Sequence, residues 1–250
     1  MALTMTDPRP ASLVLLPGLE GTGTTFQKFV EQRPEIRDVQ VIGYPTHRPA
    51  SYDELLNLIL EQLPTDRSYF LLGESFSGPL AVRVAAQHPT GLKGVILCAS
   101  FVRSPTAWYI RWWPGLFSTT VVRLLILLEA AAMRSVHGRR KIRLDQPENS
   151  PVPTACPHVI AARVRETMKV DVTQELQTTK LPLLYLAANW DLVVPQRSRA
   201  LIQRLRPDAE FRTLAGPHAI LQNRPREAWD VVESWCSRQE SLLEGLVATL

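Results

Sequence analysis

Cysteine is scarce in this sequence. Only Cys98, Cys156 and Cys236 occur in 250 residues, an odd number set far apart. That excludes a disulfide framework, offers no CxxC spacing for zinc, and suits a reducing compartment. Long hydrophobic runs are lacking too. The first, Leu13 to Leu16, stops at Pro17-Gly18 with no basic stretch before it, so a secretory leader is not expected. The most membrane-like stretch, Val121 to Met133, is broken by Arg123 and Glu129 and is too short to span a bilayer. Neither sign of charge dominates: 28 Lys and Arg stand against 24 Asp and Glu, a net +4. The one dense basic run, Arg139-Arg140-Lys141-Ile142-Arg143, has no interleaved aromatics and no zinc-finger or helix-turn-helix pattern beside it. It reads as a solvated face rather than a nucleic-acid site. These absences lead to the expectation of a cytoplasmic protein with no nucleic-acid partner, no integral membrane segment, no metal and no cofactor. They leave its oligomeric state open.

What the sequence does hold is an ordinary globular balance, 45% hydrophobic and 21% charged, long enough to bury one sizeable core. Short apolar runs alternate with helical patterns, the mark of a parallel sheet wrapped by helices. Strands are expected at Ser12 to Leu16, Val39 to Ile42, Tyr69 to Leu72, Gly94 to Ala99, Leu181 to Ala187 and Glu210 to Leu214. Helices are expected at about Thr24 to Gln32, Tyr52 to Leu63 with Ser51 as cap, Leu80 to Gln87, Gln196 to Leu205 and Arg226 to Arg238. From Phe101 to about Thr167 the rhythm breaks: no strand is evident, and aromatic residues crowd its first part. The reading is an α/β fold with core segments 1–100 and 168–250 and a helical insertion over 101–167.

Three features carry chemistry. The first is Gly73-Glu74-Ser75-Phe76-Ser77-Gly78 at the end of the third strand. A nucleophile elbow needs a serine between strand and helix, with small residues two positions before and after it. Gly73 fills the first position. The second holds Ser77, so the pattern is G-x-S-x-S with Gly78 one residue later. Ser77 is the rival nucleophile, though Ser75 rather than glycine would stand two residues before it. The second and third features are Asp191, after the fifth strand, and His218 in Gly216-Pro217-His218, after the sixth. A serine hydroxyl needs a base to take its proton, and the base needs a carboxylate to fix its tautomer. Taken singly, each has an ordinary reading as a turn, cap or solvated residue. Together, Ser75, Asp191 and His218 each follow a strand, in the chain order Ser, Asp, His, on one edge of one sheet. His47, after the second strand, lies on the same edge as a further candidate to approach the pocket.

On these residues the chain resembles the α/β-hydrolase superfamily over nearly its whole length. The matching segments are Leu15-Leu16-Pro17-Gly18-Leu19-Glu20-Gly21, the elbow, Asp191 with Val194-Pro195, and Gly216-Pro217-His218. The resemblance implies that the backbone amides of Leu19 and Phe76 form the oxyanion hole. It also implies a minimal sheet of about six parallel strands and a cap over 101–167. The family's loop after the first strand often reads His-Gly, whereas Pro17-Gly18 stands here. The loop Gly18-Leu19-Glu20-Gly21-Thr22-Gly23 also has a phosphate-binding look, but the lysine of a Walker motif is missing. Candidates for lining a pocket are Glu20, Trp108, Trp112, Trp113, Trp190 and Leu192.

The functional expectation is a serine hydrolase cleaving a carboxylic ester or thioester of apolar acyl or alcohol groups through an acyl-enzyme. Two alternatives stay open: acyl transfer by the same triad, and a non-catalytic ligand-binding protein on the same fold. Dehalogenation and epoxide opening are set aside, because on this fold they use an aspartate where Ser75 stands.

Overall fold

The computed structural model describes residues 10–105 and 155–248. Trp108, Trp112, Trp113, the basic run at 139–143 and most of the expected insertion lie outside the described residues.

Six strands form one sheet: β1 (Ser12–Leu16), β2 (Val39–Val41), β3 (Tyr69–Glu74), β4 (Leu92–Cys98), β5 (Leu183–Trp190) and β6 (Glu210–Pro217). Their order is β2-β1-β3-β4-β5-β6, and each neighbouring pair is parallel. The α/β expectation and the strand number both stand. Side chains alternate across the sheet, so each strand feeds two cores. Val14, Leu16, Leu71, Val95, Leu97 and Tyr185 pack on one face; Leu13, Leu15, Phe70, Leu72, Ile96 and Leu184 pack on the other. Burial on both faces is why β1 and β3 read as unbroken apolar runs rather than alternating ones.

The helices are α1 (Gln27–Val30), α2 (Tyr52–Leu60), α3 (Gly78–Ala86), α4 (Pro157–Thr167), α5 (Thr173–Thr178), α6 (Gln196–Leu205), α7 (Ile220–Asn223) and α8 (Pro225–Ala248). Leu55, Ile59, Leu80, Val84 and Ile202 from α2, α3 and α6 cover the first face. Phe29 from α1 and Ala228, Trp229, Val232 and Trp235 from α8 cover the second. Ser51 caps α2 in a full capping box with Glu54, and α6 has the expected bounds. Among the described residues no helix is long and apolar enough to cross a membrane.

Several expected boundaries move. Helix α2 stops at Leu60 rather than Leu63, and Pro64, which keeps Leu63 out of helical backbone, bars any continuation. The expected helix over Thr24 to Gln32 is a 3-10 turn (Thr24–Phe26) followed by the single turn α1. β3 runs past Leu72 to Glu74, up to the elbow itself. β5 starts at Leu183 rather than Leu181, after Pro182, and both β5 and β6 extend further, Trp190 pairing with Pro217 after a register shift. Helix α8 continues ten residues beyond Arg238.

Candidate active site

The strand order turns back at the β1/β3 junction, and in open α/β sheets ligands gather beyond the carboxyl ends of strands at that point. Ser75 directly follows β3, Asp191 directly follows β5 and His218 directly follows β6. A parallel sheet puts all three on one edge, although they are spread over 143 residues of sequence. His218 Nε2 lies 2.8 Å from Ser75 Oγ, and His218 Nδ1 lies 2.8 Å from Asp191 Oδ2. A neutral imidazole protonated on Nδ1 satisfies both contacts: Nδ1–H donates to the carboxylate, and Nε2 accepts from the hydroxyl. The His218 and Asp191 side chains keep only 12% and 10% of their exposure, so water competes little with the relay.

The elbow explains its own composition. Ser75 has φ of 50°, a left-handed backbone that costs a non-glycine residue free energy and lifts its side chain above the sheet. The turn is so tight that a Cβ on Gly73 would lie 2.5 Å from the Ser77 carbonyl oxygen. On the far side the glycine is needed one residue later than expected, because a Cβ on Gly78 would overlap Ser100. Ser77 has ordinary helical backbone (φ −87°, ψ −3°) and room for a side chain. Its hydroxyl is fully buried, donates to the Pro17 carbonyl and lies 2.6 Å from the Tyr44 hydroxyl. The rival nucleophile is therefore turned away from His218 and occupied elsewhere.

Asp191 and His218 are held by their own loops. Asp191 Oδ1 accepts from the Val193 amide at 2.9 Å and the Val194 amide at 2.7 Å, leaving Oδ2 for the imidazole. Before His218, the Gly216 amide donates to Asn189 Oδ1 at 2.8 Å and Arg224 Nε donates to the Ala215 carbonyl at 2.9 Å. Glu74, beside Ser75, is buried. Its carboxylate accepts from Gln222 Nε2 at 2.9 Å and from the Gly18 amide. Burial pushes its pKa above the usual carboxylate range, against the opposing pull of Gln222, His218 and the Gly18 amide.

The loop after β1 comes close to the elbow: a Cβ on Gly18 would lie 3.8 Å from Ser75 Cβ. The Gly18 carbonyl accepts from the Gly21 amide at 3.1 Å, closing a turn. Since a trans peptide points its N–H opposite its C=O, the Leu19 amide faces away from that turn. The Phe76 amide opens the 3-10 turn (Ser75–Ser77) that leads into α3.

Of the pocket candidates, Trp190 and Leu192 flank Asp191 with exposures of 55% and 92%, so they are apolar surface at the rim. The Glu20 carboxylate is otherwise engaged. It accepts from the amides of Thr22 and Gly23 and from the hydroxyls of Thr22 and Thr25, bracing the loop. His47 sits with Nδ1 3.6 Å from Cys156 Sγ rather than in the relay, and its carbonyl accepts from His158 Nε2. Among the described residues no group of three or more His, Cys, Asp or Glu could hold a metal ion. Sequence reading missed Arg163, Tyr44, Tyr52 and Ser100, which brace this edge. Their signal is positional only, since a buried arginine in a helix looks like any exposed one in the sequence.

Comparison with known proteins finds relatives in sequence and in fold. Residues 50–224 match the family described as "Serine aminopeptidase, S33". The pimeloyl-[acyl-carrier protein] methyl ester esterase of Edwardsiella ictaluri is 27% identical over 238 residues, covering 85% of this chain and 88% of that protein. The protein of the same name from Vibrio cholerae is 24% identical over 219 residues, covering 79% and 83%. Among solved structures, a lipase-esterase related protein from Clostridium acetobutylicum superposes with a TM-score of 0.71 at 12% identity, covering 92% and 96% of the two chains. The enol-lactonase of Burkholderia xenovorans gives 0.70 at 17% identity, covering 93% and 94%.

Proposed function

The chain belongs to the serine aminopeptidase S33 family of α/β-hydrolases, and from that premise we propose that it is an ester hydrolase. Its reaction is cleavage of a carboxylic ester or thioester through an acyl-enzyme on Ser75. The observation that carries this reading is the continuous line from the Ser75 hydroxyl through His218 to Asp191, with both contacts at 2.8 Å.

In this reading Ser75 Oγ attacks the substrate carbonyl carbon while His218 Nε2 takes its proton. The negative charge moves onto the carbonyl oxygen, which the Leu19 and Phe76 amides receive. His218 then returns the proton to the leaving alkoxide or thiolate, the C–O or C–S bond breaks, and the acyl group stays on Ser75. Water repeats the sequence with His218 as base, releasing the acid and restoring the hydroxyl. Positioned proton transfer contributes about 10² to 10⁴ in rate, and each oxyanion donor about 2.7–4 kcal/mol.

Ester rather than peptide substrates are favoured because the curated relatives are named methyl ester esterases. Apolar Trp190 and Leu192 at the rim fit an apolar acyl or alcohol group. Residues 101–167 are assigned as the cap, and three free cysteines fit a cytoplasmic setting.

The test is a panel of methyl esters and thioesters of graded acyl length, assayed with the parent protein and Ser75→Ala. Turnover by the parent that falls at least a thousandfold in the variant is expected. A folded parent that cleaves none of them, or a variant as active as the parent, would refute the reading. Acyl transfer would show instead as ester product on adding a competing alcohol.

A further inference from the structure

We infer that Ser77, Ser100 and Arg163 are positioning residues that set the two oxyanion donors at a fixed distance and direction from each other. The inference rests on the proposed roles of the Leu19 and Phe76 amides and extends them to side chains no substrate touches.

Its basis is which donors hold the carbonyl groups around the hole. The Phe76 N–H belongs to the peptide whose carbonyl is that of Ser75, so fixing that carbonyl aims the N–H. Ser100 Oγ, fully buried, donates to it at 2.6 Å, and the Ser100 carbonyl is itself held by the Tyr185 hydroxyl at 2.8 Å. The next carbonyl, of Phe76, accepts from the Tyr52 hydroxyl at 2.9 Å, with the two rings stacked at 4.7 Å. On the opposite loop, the Leu19 N–H shares its peptide with the Gly18 carbonyl, which the Gly21 amide holds at 3.1 Å; Arg163 Nη1 fixes the next carbonyl, of Leu19, at 2.6 Å, and its Nη2 reaches the Pro45 carbonyl at 2.8 Å. Ser77 joins the two sides: it sits in the elbow, yet its hydroxyl donates to the Pro17 carbonyl in the loop after β1.

Arg163 is the most telling of the three. It is fully buried, its Nε has no acceptor, and among the described residues no carboxylate pairs with it. Its compensation is two carbonyl groups, the Tyr44 ring 5.5 Å below the guanidinium and the attraction of the nearby Glu20 carboxylate. A buried charge without a direct ion pair among the described residues is an expensive way to hold two loops together for stability alone. It is a sensible way to hold a peptide rigid, because a planar fork fixes two acceptors at once. Tyr44 closes the network, lying under Arg163 and bonding to Ser77. This also gives a physical reason for serine in place of glycine at position 77.

Rigidity matters because oxyanion donors act only if already aimed when the charge forms. A misplacement of about 1 Å can cost a hundredfold in rate. The test compares the parent with Ser77→Ala, Ser100→Ala, Arg163→Met and Arg163→Lys, measuring kcat and KM on a short-chain ester and Tm. It adds the affinity for a trifluoromethyl ketone, whose serine adduct places an oxyanion in the hole. The inference expects kcat to fall at least tenfold in both serine variants and in Arg163→Met, with KM within about twofold. Ketone affinity should fall by the same factor, and Arg163→Lys should restore only part of the loss. The two serine variants remove one oxygen each, so they decide the matter even where Arg163→Met does not fold. Values of kcat and ketone affinity within twofold of the parent in both serine variants would overturn it, whatever happens to Tm. A parent that turns over no ester and binds no ketone would instead bring down the functional reading, and this inference with it.

Discussion

Replacing Asp191 by asparagine is a nearly isosteric change whose consequence follows from two backbone amides. Asp191 Oδ1 accepts from the amides of Val193 and Val194 at 2.9 and 2.7 Å, while Oδ2 faces His218 Nδ1. In the variant the carboxamide oxygen must keep those two donors, since turning the NH2 group toward them would leave both unpaired, at about 1–3 kcal/mol each. The NH2 group is then forced to face Nδ1. A donor facing Nδ1 selects the imidazole tautomer protonated on Nε2, which offers Ser75 a proton instead of taking one. Where an asparagine has enforced this tautomer in another serine hydrolase, kcat fell about 10⁴-fold, equivalent to roughly 5.4 kcal/mol of barrier. We expect a loss of three to four orders of magnitude in kcat here, with Tm within a few degrees of the parent. The assay is ester turnover joined to nitrogen NMR of the His218 ring, which should show the proton moved from Nδ1 to Nε2. Turnover within tenfold of the parent, or a ring still protonated on Nδ1, would refute the reasoning.

Two further predictions concern buried charge away from the relay and beside it. Arg37, fully buried ahead of β2, is gripped by Glu233 and Glu240 of α8 and donates to the Ala11 carbonyl. Arg37→Met leaves two carboxylates without their cation and should cost about 3–5 kcal/mol. At about 2–4 °C per kcal/mol, calorimetry should show Tm lower by roughly 6–20 °C with kcat at 25 °C retained, and a change under 2 °C would contradict it. Glu74 has a folded-state pKa raised by burial, so the stability tied to its protonated form is lost as pH rises through that pKa. Glu74→Gln cannot ionise, so its Tm relative to the parent should climb between pH 4 and pH 8, and a flat difference would show that Glu74 does not titrate as described.

Much of this architecture was readable because its signals are local. Leu13 to Leu16 and Tyr69 to Leu72 are apolar runs bounded by turn residues, and Gln196 to Leu205 carries its helical stripe inside clear ends. The relay was legible for a topological reason: in a parallel sheet, residues just after strands share an edge whatever their separation in sequence. Most of what escaped was set by distant contacts. Helix α8 runs on past Arg238 through Glu240, which receives the Ala11 amide at 2.7 Å and pairs with Arg37, partners more than 200 residues away. β6, expected to end at Leu214, runs on to Pro217, which pairs with Trp190 of the neighbouring strand. Glu20, a pocket candidate, braces its own loop instead through local contacts that no periodicity announces, accepting from the amides and hydroxyls of residues 22–25. Ser77 stood out in the sequence as a departure from the elbow pattern, but its partners Pro17 and Tyr44 are visible only in three dimensions.

The central claim is that one hydroxyl of this chain is made nucleophilic by the imidazole beside it. The most direct measurement is mass spectrometry of the protein after brief exposure to a fluorophosphonate, with and without His218→Ala. The account predicts a single phosphonyl adduct on the peptide containing Ser75, formed far more slowly when His218 is replaced. An adduct on Ser77 or elsewhere, or equal labelling rates in the two proteins, would contradict it.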